Sequence, residues 1–294
     1  MLSFMEFGAV LPQNELGRST EDILAFAQAA DRLGFDHLLA YDHVLGADRR
    51  VHPDLPGPYG LDDTFREPFV LFGYLAGITS LGFATAILIA PQRPTALIAK
   101  QAAEVDLLSG GKLRLGCGIG WNHVEYDALG QDFATRGDRF SEQIPLLREL
   151  WTNEQITVEG ASESIVAAGL APLPLQRPIP IWIGAFAPPA LRRVGELADG
   201  WFPMIFPGDK FDAAWGIITQ SARDAGRDPA GISIEGQVPG LSDEPSKIDE
   251  LVSRWRDVHA THVSINTLNQ GMRHLDEHLE ALEVSARVLG LTPR

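Results

Sequence analysis

Cysteine is almost missing from this chain. Cys117 is the one thiol among 294 residues, so no intramolecular disulfide can form. A reducing compartment, the cytoplasm, is the expected setting. Basic charge is scarce as well: 24 Lys and Arg stand against 39 Asp and Glu, a formal net charge of −15. Such a surface repels a phosphate backbone and an anionic bilayer, so neither nucleic acid nor membrane is an expected partner. A small anionic cofactor remains compatible, because one amide-lined or basic pocket is enough to hold it. No apolar run reaches the roughly 20 residues of a transmembrane helix. Met1 to Gly8 has neither a basic region nor a long apolar stretch, so no secretory leader is expected. Met5 offers an alternative start, which would leave Met1 to Phe4 as an unstructured extension.

Two kinds of chemistry are also poorly supplied. The 4 lysines are Lys100, Lys112, Lys210 and Lys247, and none sits where a strand would end. Schiff-base chemistry at a strand tip is thereby removed. The 8 histidines are scattered. His274 and His278 share a helix face but lack the glutamate that a zinc-protease pattern places directly after the first histidine. No metal site is expected.

What is present is an alternation. Short β-rich runs lie at Phe7 to Leu11, Phe35 to Tyr41, Phe83 to Ile89, Leu113 to Gly118, Ile181 to Gly184, Trp201 to Met204, Ile232 to Val238 and His262 to Asn266. Amphipathic segments separate them. Ser19 offers an N-cap before Ile23, Phe26, Ala27, Ala30 and Leu33 at helical spacing, and Gly34 supplies the stop. Further helices are expected over Pro68 to Ser80, Thr95 to Leu108, Asp138 to Trp151 with Pro145 near its first turn or at a kink, Pro189 to Leu197, Lys210 to Ala225, Ser246 to His259 and Met272 to Leu289. Ile156 to Val166 reads as a small hairpin. Eight strands alternating with helices over this length, with no composition break, predict an α/β chain forming one domain over residues 1–294, a (β/α)8 TIM barrel.

In such a barrel the site lies at the C-terminal ends of the strands. The second strand ends in Tyr41-Asp42-His43, the third near Ile89-Ala90-Pro91-Gln92-Arg93, the fourth in Gly116-Cys117-Gly118-Ile119-Gly120-Trp121-Asn122, and the fifth in Gly184-Ala185. Glycine at Gly116, Gly118 and Gly120 allows close approach by a planar ring or phosphate, or else marks a tight barrel corner. The spacing is not that of a dinucleotide fingerprint. The long stretch from Gly46 to Glu67, with Arg49, Arg50, His52 and Tyr59, has the length of a lid.

These pieces occur in an order that resembles one family. Gly34-Phe35-Asp36, Asp42-His43, Ala86-Ile87-Leu88-Ile89-Ala90-Pro91-Gln92-Arg93, Leu108-Ser109-Gly110-Gly111-Lys112, Gly118-Ile119-Gly120-Trp121-Asn122, Glu125-Tyr126, Leu129-Gly130, Arg177 to Gly184 and Ala198-Asp199-Gly200-Trp201 together resemble the bacterial luciferase-like superfamily. The likeness is to its coenzyme F420-dependent branch, and is weakest after about residue 205. The resemblance implies a barrel with luciferase-like insertions, a flavin or deazaflavin at its mouth, and a non-proline cis peptide at Ala86–Ile87 behind the ring.

It also implies site residues. His43 falls at the position near the reactive centre of the ring, where an imidazole can handle a proton. Asp42 sets its tautomer or holds the turn. Glu125 is a site carboxylate paired with His43, or a surface helix residue. Ala86, Ile87, Gly118, Gly120, Trp121, Asn122, Gly184 and Ala185 are expected to contact the cofactor. At Gly184-Ala185 a helix start resembles a phosphate cradle, although the family usually carries a second glycine where Ala185 stands. Arg192 or Arg193 faces that phosphate or is simply solvated. The implied activity is hydride transfer between coenzyme F420 and a small organic substrate. The rival readings are an FMN-dependent monooxygenase fed by a separate reductase, and a flavin carrier without turnover. A homodimer is expected by the same resemblance.

Overall fold

The computed structural model describes residues 5–294, so the extension expected over Met1 to Phe4 lies outside the described residues. The chain opens with β1 (Glu6–Val10), a short α1 (Gln13–Leu16), α2 (Thr20–Arg32) and β2 (His37–Ala40). After a long loop come α3 (Pro68–Ala76), β3 (Gly82–Thr85), β4 (Leu88–Ile89), α4 (Thr95–Leu108) and β5 (Leu113–Gly118). Next follow α5 (His123–Ala128), α6 (Arg136–Thr152), the antiparallel hairpin β6 (Ile156–Glu159) and β7 (Ser164–Ala168), then β8 (Ile181–Ala185). The last part contains α7 (Pro188–Leu197), β9 (Gly200–Pro203), α8 (Asp209–Asp224), β10 (Ser233–Pro239), α9 (Pro245–Asp257), β11 (His262–Asn266) and α10 (Leu275–Leu289).

The strands pair in parallel in the order β3, β2, β1, β11, β10, β9, β8, β5, and a β3–β5 pairing closes the ring. With β3 and β4 as two pieces of one position, this is the eight-strand (β/α)8 TIM barrel that the alternation predicts. Local signals act as expected at several ends. Ser19 Oγ accepts the Asp22 amide at 3.0 Å to cap α2, and Gly34 takes a φ of +90° just past its end. Pro145 lies well inside α6, not in its first turn, on the exposed side.

The third strand differs from the continuous run expected over Phe83 to Ile89. It breaks at Ala86–Ile87, whose peptide bond is cis, as the family resemblance implies. Ala84 pairs with Arg114 and Leu88 with Cys117, so four steps on one strand face three on its neighbour. The extra residue is a bulge that pushes Ala86 and Ile87 toward the barrel axis.

Two cores result. The larger lies between strands and helices and holds Trp151, Trp201, Trp255 and Phe26, all fully buried. The smaller fills the barrel with Val10, Leu39, Ala84, Trp182, Phe202 and Leu268. Below it, at the N-terminal ends of the strands, sits a charged cluster. Glu235, fully buried, takes the Arg114 guanidinium at 2.6 Å and His37 Nε2 at 2.7 Å. The Arg114 guanidinium also lies over the Trp182 ring, 4.7 Å from its centroid.

Burial alone would raise the Glu235 carboxyl, but Arg114 and His37 outweigh it and hold the group far below the ordinary carboxylate range. Burial holds the His37 imidazole below its usual value. Both signs agree: the folded chain binds fewer protons than the unfolded one, so stability falls as pH drops through the unfolded values near about 6.5 for His and about 4.3 for Glu. Glu235→Gln leaves Arg114 buried without its counter-charge and is expected to cost about 3–5 kcal/mol at pH 7. Urea unfolding of both proteins at pH 7 measures it, and a deficit below about 1 kcal/mol would contradict the assignment.

Candidate active site at the barrel mouth

The tips of β2, β4 and β5 are joined by one carboxylate. Asn122 caps α5 by accepting the Glu125 amide on its Oδ1 at 3.3 Å, which aims the Glu125 side chain inward. Glu125 is fully buried. Its Oε1 accepts the backbone amides of Val44 and Leu45, the latter at 3.0 Å. Its Oε2 accepts from Gln92 Nε2 at 3.0 Å and lies 3.2 Å from His43 Nδ1. Burial alone would raise this carboxyl; the hydrogen bonds from His43, Gln92 and Leu45 outweigh it and keep the group below its ordinary value. An ionised carboxylate can only accept, so it fixes the proton of His43 on Nδ1. Nε2 then carries the lone pair, and it has no protein partner among the described residues.

Asp42 does something else. Its two oxygens take the Arg93 guanidinium in a bidentate pair at 2.7 and 2.9 Å, and Oδ2 also accepts the Ile89 amide at 3.1 Å. All of this is buried, so Asp42 ties the second strand tip to the third and does not orient His43. Of the two roles open from sequence, the structure assigns the turn-holding one.

The glycines serve the bulge more than a ligand. A Cβ on Gly118 would meet Ile87 Cδ1 at 2.6 Å, one on Gly184 would meet Ile87 Cγ2 at 2.9 Å, and one on Gly120 would meet Ile89 Cγ2 at 2.9 Å. They are the room into which the displaced strand folds. Asn122, expected on the cofactor, is buried, and both ends of its amide are committed, Oδ1 to the α5 cap and Nδ2 to Leu45 O at 3.2 Å. Ala185 is also buried, its carbonyl accepting from Trp201 Nε1 at 3.0 Å. The phosphate cradle expected there is poorer than its position suggests, because Pro188 and Pro189 open α7 and supply no N–H. Arg193 turns away, to Ser141 Oγ at 2.8 Å and Gly137 O at 3.0 Å, and Arg192 is exposed.

The long loop lies over His43. Phe65, Trp121 and Tyr59 meet the imidazole edge-on, with centroids 4.8, 5.2 and 5.6 Å away. Gly57 packs directly on the Trp121 ring. Arg49, itself exposed, braces the loop by donating to the carbonyls of Leu55, Gly57 and Tyr59. The lid is therefore preorganised by its own side chains although it has no secondary structure.

Several residues near the mouth escaped the sequence reading. Gln92 and Arg93 were visible only as a strand end, and their burial beside two acidic residues is a tertiary fact. Tyr41, Gln237 and Asn266 form a hydrogen-bonded group inside the barrel. The polar residues Ser233, Glu235 and Gln237 alternate along an otherwise apolar strand, a signal of an inward polar column that was available in the sequence.

Comparison with known proteins agrees with the fold. The luciferase-like monooxygenase family matches residues 4–282. The chain belongs to that family. An uncharacterized protein of Mycobacterium tuberculosis is 32% identical over 210 residues, 69% of this chain and 72% of that one. A phthiodiolone/phenolphthiodiolone dimycocerosates ketoreductase of Mycobacterium kansasii is 29% identical over 226 residues, 73% of this chain and 59% of that one. In fold, the chain is similar to the coenzyme F420-dependent tetrahydromethanopterin reductase of Methanopyrus kandleri, with a TM-score of 0.75 at 15% identity over 98% of this chain and 99% of that one.

One stretch of the third strand leaves a surface open at the mouth. From Leu81 to Arg93 every residue is buried except Ala86 and Ile87. The bulge thus offers a small apolar ledge at the mouth, on the strand next to the one that carries His43. Glu125→Gln tests the geometry without any ligand. The neutral amide no longer needs Nδ1–H, so neutral His43 should move its proton to Nε2. Histidine-selective 15N correlation spectra report the tautomer, and an unchanged Nδ1–H form in the variant would refute the assigned role of Glu125.

Proposed function

We propose that this protein is an oxidoreductase that uses coenzyme F420 for hydride transfer to or from a small organic substrate. The observation that carries this reading is the His43–Glu125 pair at the edge of the Ala86–Ile87 ledge. A bound deazaflavin supplies or accepts the hydride, which the side chains of the protein cannot do. What the chain contributes is a seat, an orientation and a proton.

Ala86 and Ile87 would hold the flat face of the ring, with Gly118 and Gly184 behind them giving Ile87 its place. His43 would handle the proton. Oxidation of an alcohol releases a hydroxyl proton, and Nε2, the unprotonated nitrogen, accepts it; in the reverse direction the imidazolium returns it to the carbonyl oxygen. Glu125 stabilises that imidazolium and holds the ring in place as a positioning residue. Tyr59, Phe65 and Trp121 exclude water, which strengthens each of these interactions. The ketoreductase relative and the fold shared with an F420-dependent reductase support the choice of reaction and cofactor.

Titration of the purified protein with F420 and with FMN, followed by absorbance and fluorescence, tests the cofactor. Binding of F420 at about micromolar concentration with none of FMN is expected; the opposite preference would turn the reading to a flavin monooxygenase. His43→Ala should keep F420 affinity within about threefold and lower turnover by about 10²–10⁴, the usual span for a lost acid–base group. Unchanged turnover would remove His43 from the reaction.

A further inference from the structure

Above the charged cluster, the barrel interior holds a second polar group whose hydrogen bonds can be assigned from one fixed donor. The Leu268 backbone amide donates to Asn266 Oδ1 at 2.9 Å. A backbone N–H has no choice of role, so Asn266 must turn Nδ2 the other way. Nδ2 donates to Tyr41 Oη at 3.2 Å and to Gln237 Oε1 at 3.0 Å. The Tyr41 hydroxyl then gives its own proton to Gln237 Oε1 at 3.1 Å. Burial pushes the Tyr41 phenol up, so it stays a neutral donor. Gln237 therefore receives two bonds on its oxygen, and its amide nitrogen is left with two N–H groups and no protein partner among the described residues.

The position of that nitrogen follows from the strand. Gln237 and Glu235 face the same way on β10, into the barrel. Glu235 lies below and is buried, whereas Gln237 is partly exposed, so its exposure comes from the mouth. The walls around it are apolar: Leu39, Ala84, Phe202 and Leu268 are buried in the same inner core, and Ala86 and Ile87 pack against it. Beyond them Phe186 and Met204 stand 66% and 71% exposed at the rim. An amide held from behind by its oxygen, with apolar residues beside it, discriminates strongly, because a ligand without an acceptor leaves the N–H unpaired.

We propose that Gln237 is a substrate-specificity residue: its amide nitrogen binds the carbonyl oxygen of an otherwise apolar, uncharged ketone. This rests on the redox reading above and adds the class of substrate to it. The Tyr41–Asn266 pair positions the amide, since both bonds hold the oxygen and leave the nitrogen free on the other side.

The test uses cyclohexanone and methylcyclohexane as probes on the protein without cofactor, so its outcome is separate from that of the F420 titration. The Gln237 side-chain 1H–15N signals are identified by their absence in Gln237→Leu. They should shift and saturate with cyclohexanone and stay in place with methylcyclohexane. Gln237→Glu keeps the acceptor that Tyr41 and Asn266 need but offers no N–H. It should fold as the parent does and bind cyclohexanone about tenfold more weakly, with hydrocarbon binding lowered less. Equal ketone affinity in parent and Gln237→Glu would overturn the proposal. So would amide signals that move only with F420 or FMN, which would make Gln237 a cofactor residue. Ketone binding that survives when no F420 binds would keep this site and discard the cofactor.

Discussion

The mouth of this barrel is organised by one buried carboxylate. Glu125 gathers donors from the loop after β2, from the segment after β4 and from the imidazole of His43, although these lie 80 residues or more and 33 residues away in sequence. A buried charge is tolerated only when its hydrogen-bonding capacity is filled, and each charge-assisted bond of this kind contributes about 1.5–3 kcal/mol. The consequence is mechanical as well as energetic. With Val44 and Leu45 fixed on one oxygen, the loop leaves β2 in a single direction, and the lid that it begins is carried over His43. With His43 and Gln92 fixed on the other, the imidazole has one tautomer and one orientation. Asp42 performs the same service one layer out, holding Arg93 and the Ile89 amide. Two carboxylates thus divide the work, one locking strand tips together and the other fixing the imidazole of His43.

The bulge at Ala86–Ile87 and the glycines across from it are two halves of one feature. Inserting a residue into a closed barrel strand displaces a side chain toward the axis, where packing leaves no spare volume. Gly118 and Gly184 are the relief: neither could carry a Cβ without striking Ile87. Gly118 had two explanations from sequence, ligand approach or a barrel corner, and Gly184 was expected in a phosphate cradle. The structure supplies another for both, a socket for the neighbouring strand, and the surface left partly open there is Ala86 and Ile87.

The legibility of the chain follows from the range of the forces involved. Strand and helix identity rests on local periodicity, so all eight barrel positions could be read, and the Ser19 cap and Gly34 stop with them. The break in the third strand could not be read from periodicity, because Phe83 to Ile89 is apolar without interruption; its location came from family resemblance alone. At the site, His43 and Glu125 were named as a possible pair, and the structure brings them together. Asn122 was expected on the cofactor, and its bonds to the α5 cap and to Leu45 were not legible, because the start of α5 was not read from the sequence. Pro188-Pro189 could have warned against a phosphate cradle, since proline carries no amide proton. Arg93, Gln92 and the Tyr41–Gln237–Asn266 group depend on contacts across the barrel, and only the polar alternation on the β10 segment hinted at them.

The vertical order of the barrel interior explains how an ionic cluster and the Ala86–Ile87 ledge can share one cylinder. Glu235, Arg114 and His37 sit at the bottom, mutually paired. Val10, Leu39, Ala84 and Phe202 form the layer above, and the hydrogen-bonded neutral group of Tyr41, Gln237 and Asn266 comes next. A charge at the bottom would act strongly through such a low-dielectric column if it were alone. Because it is compensated within 2.7 Å, its field is that of a compact multipole and decays before the mouth. The groups nearest the Ala86–Ile87 ledge are then neutral amides and a neutral phenol, with the Glu125 carboxylate held to one side by its own donors. The hydride transfer proposed for this site would draw on such a setting: dipoles that can be aimed, one proton that can move, and a carboxylate whose charge is spread over its own donors.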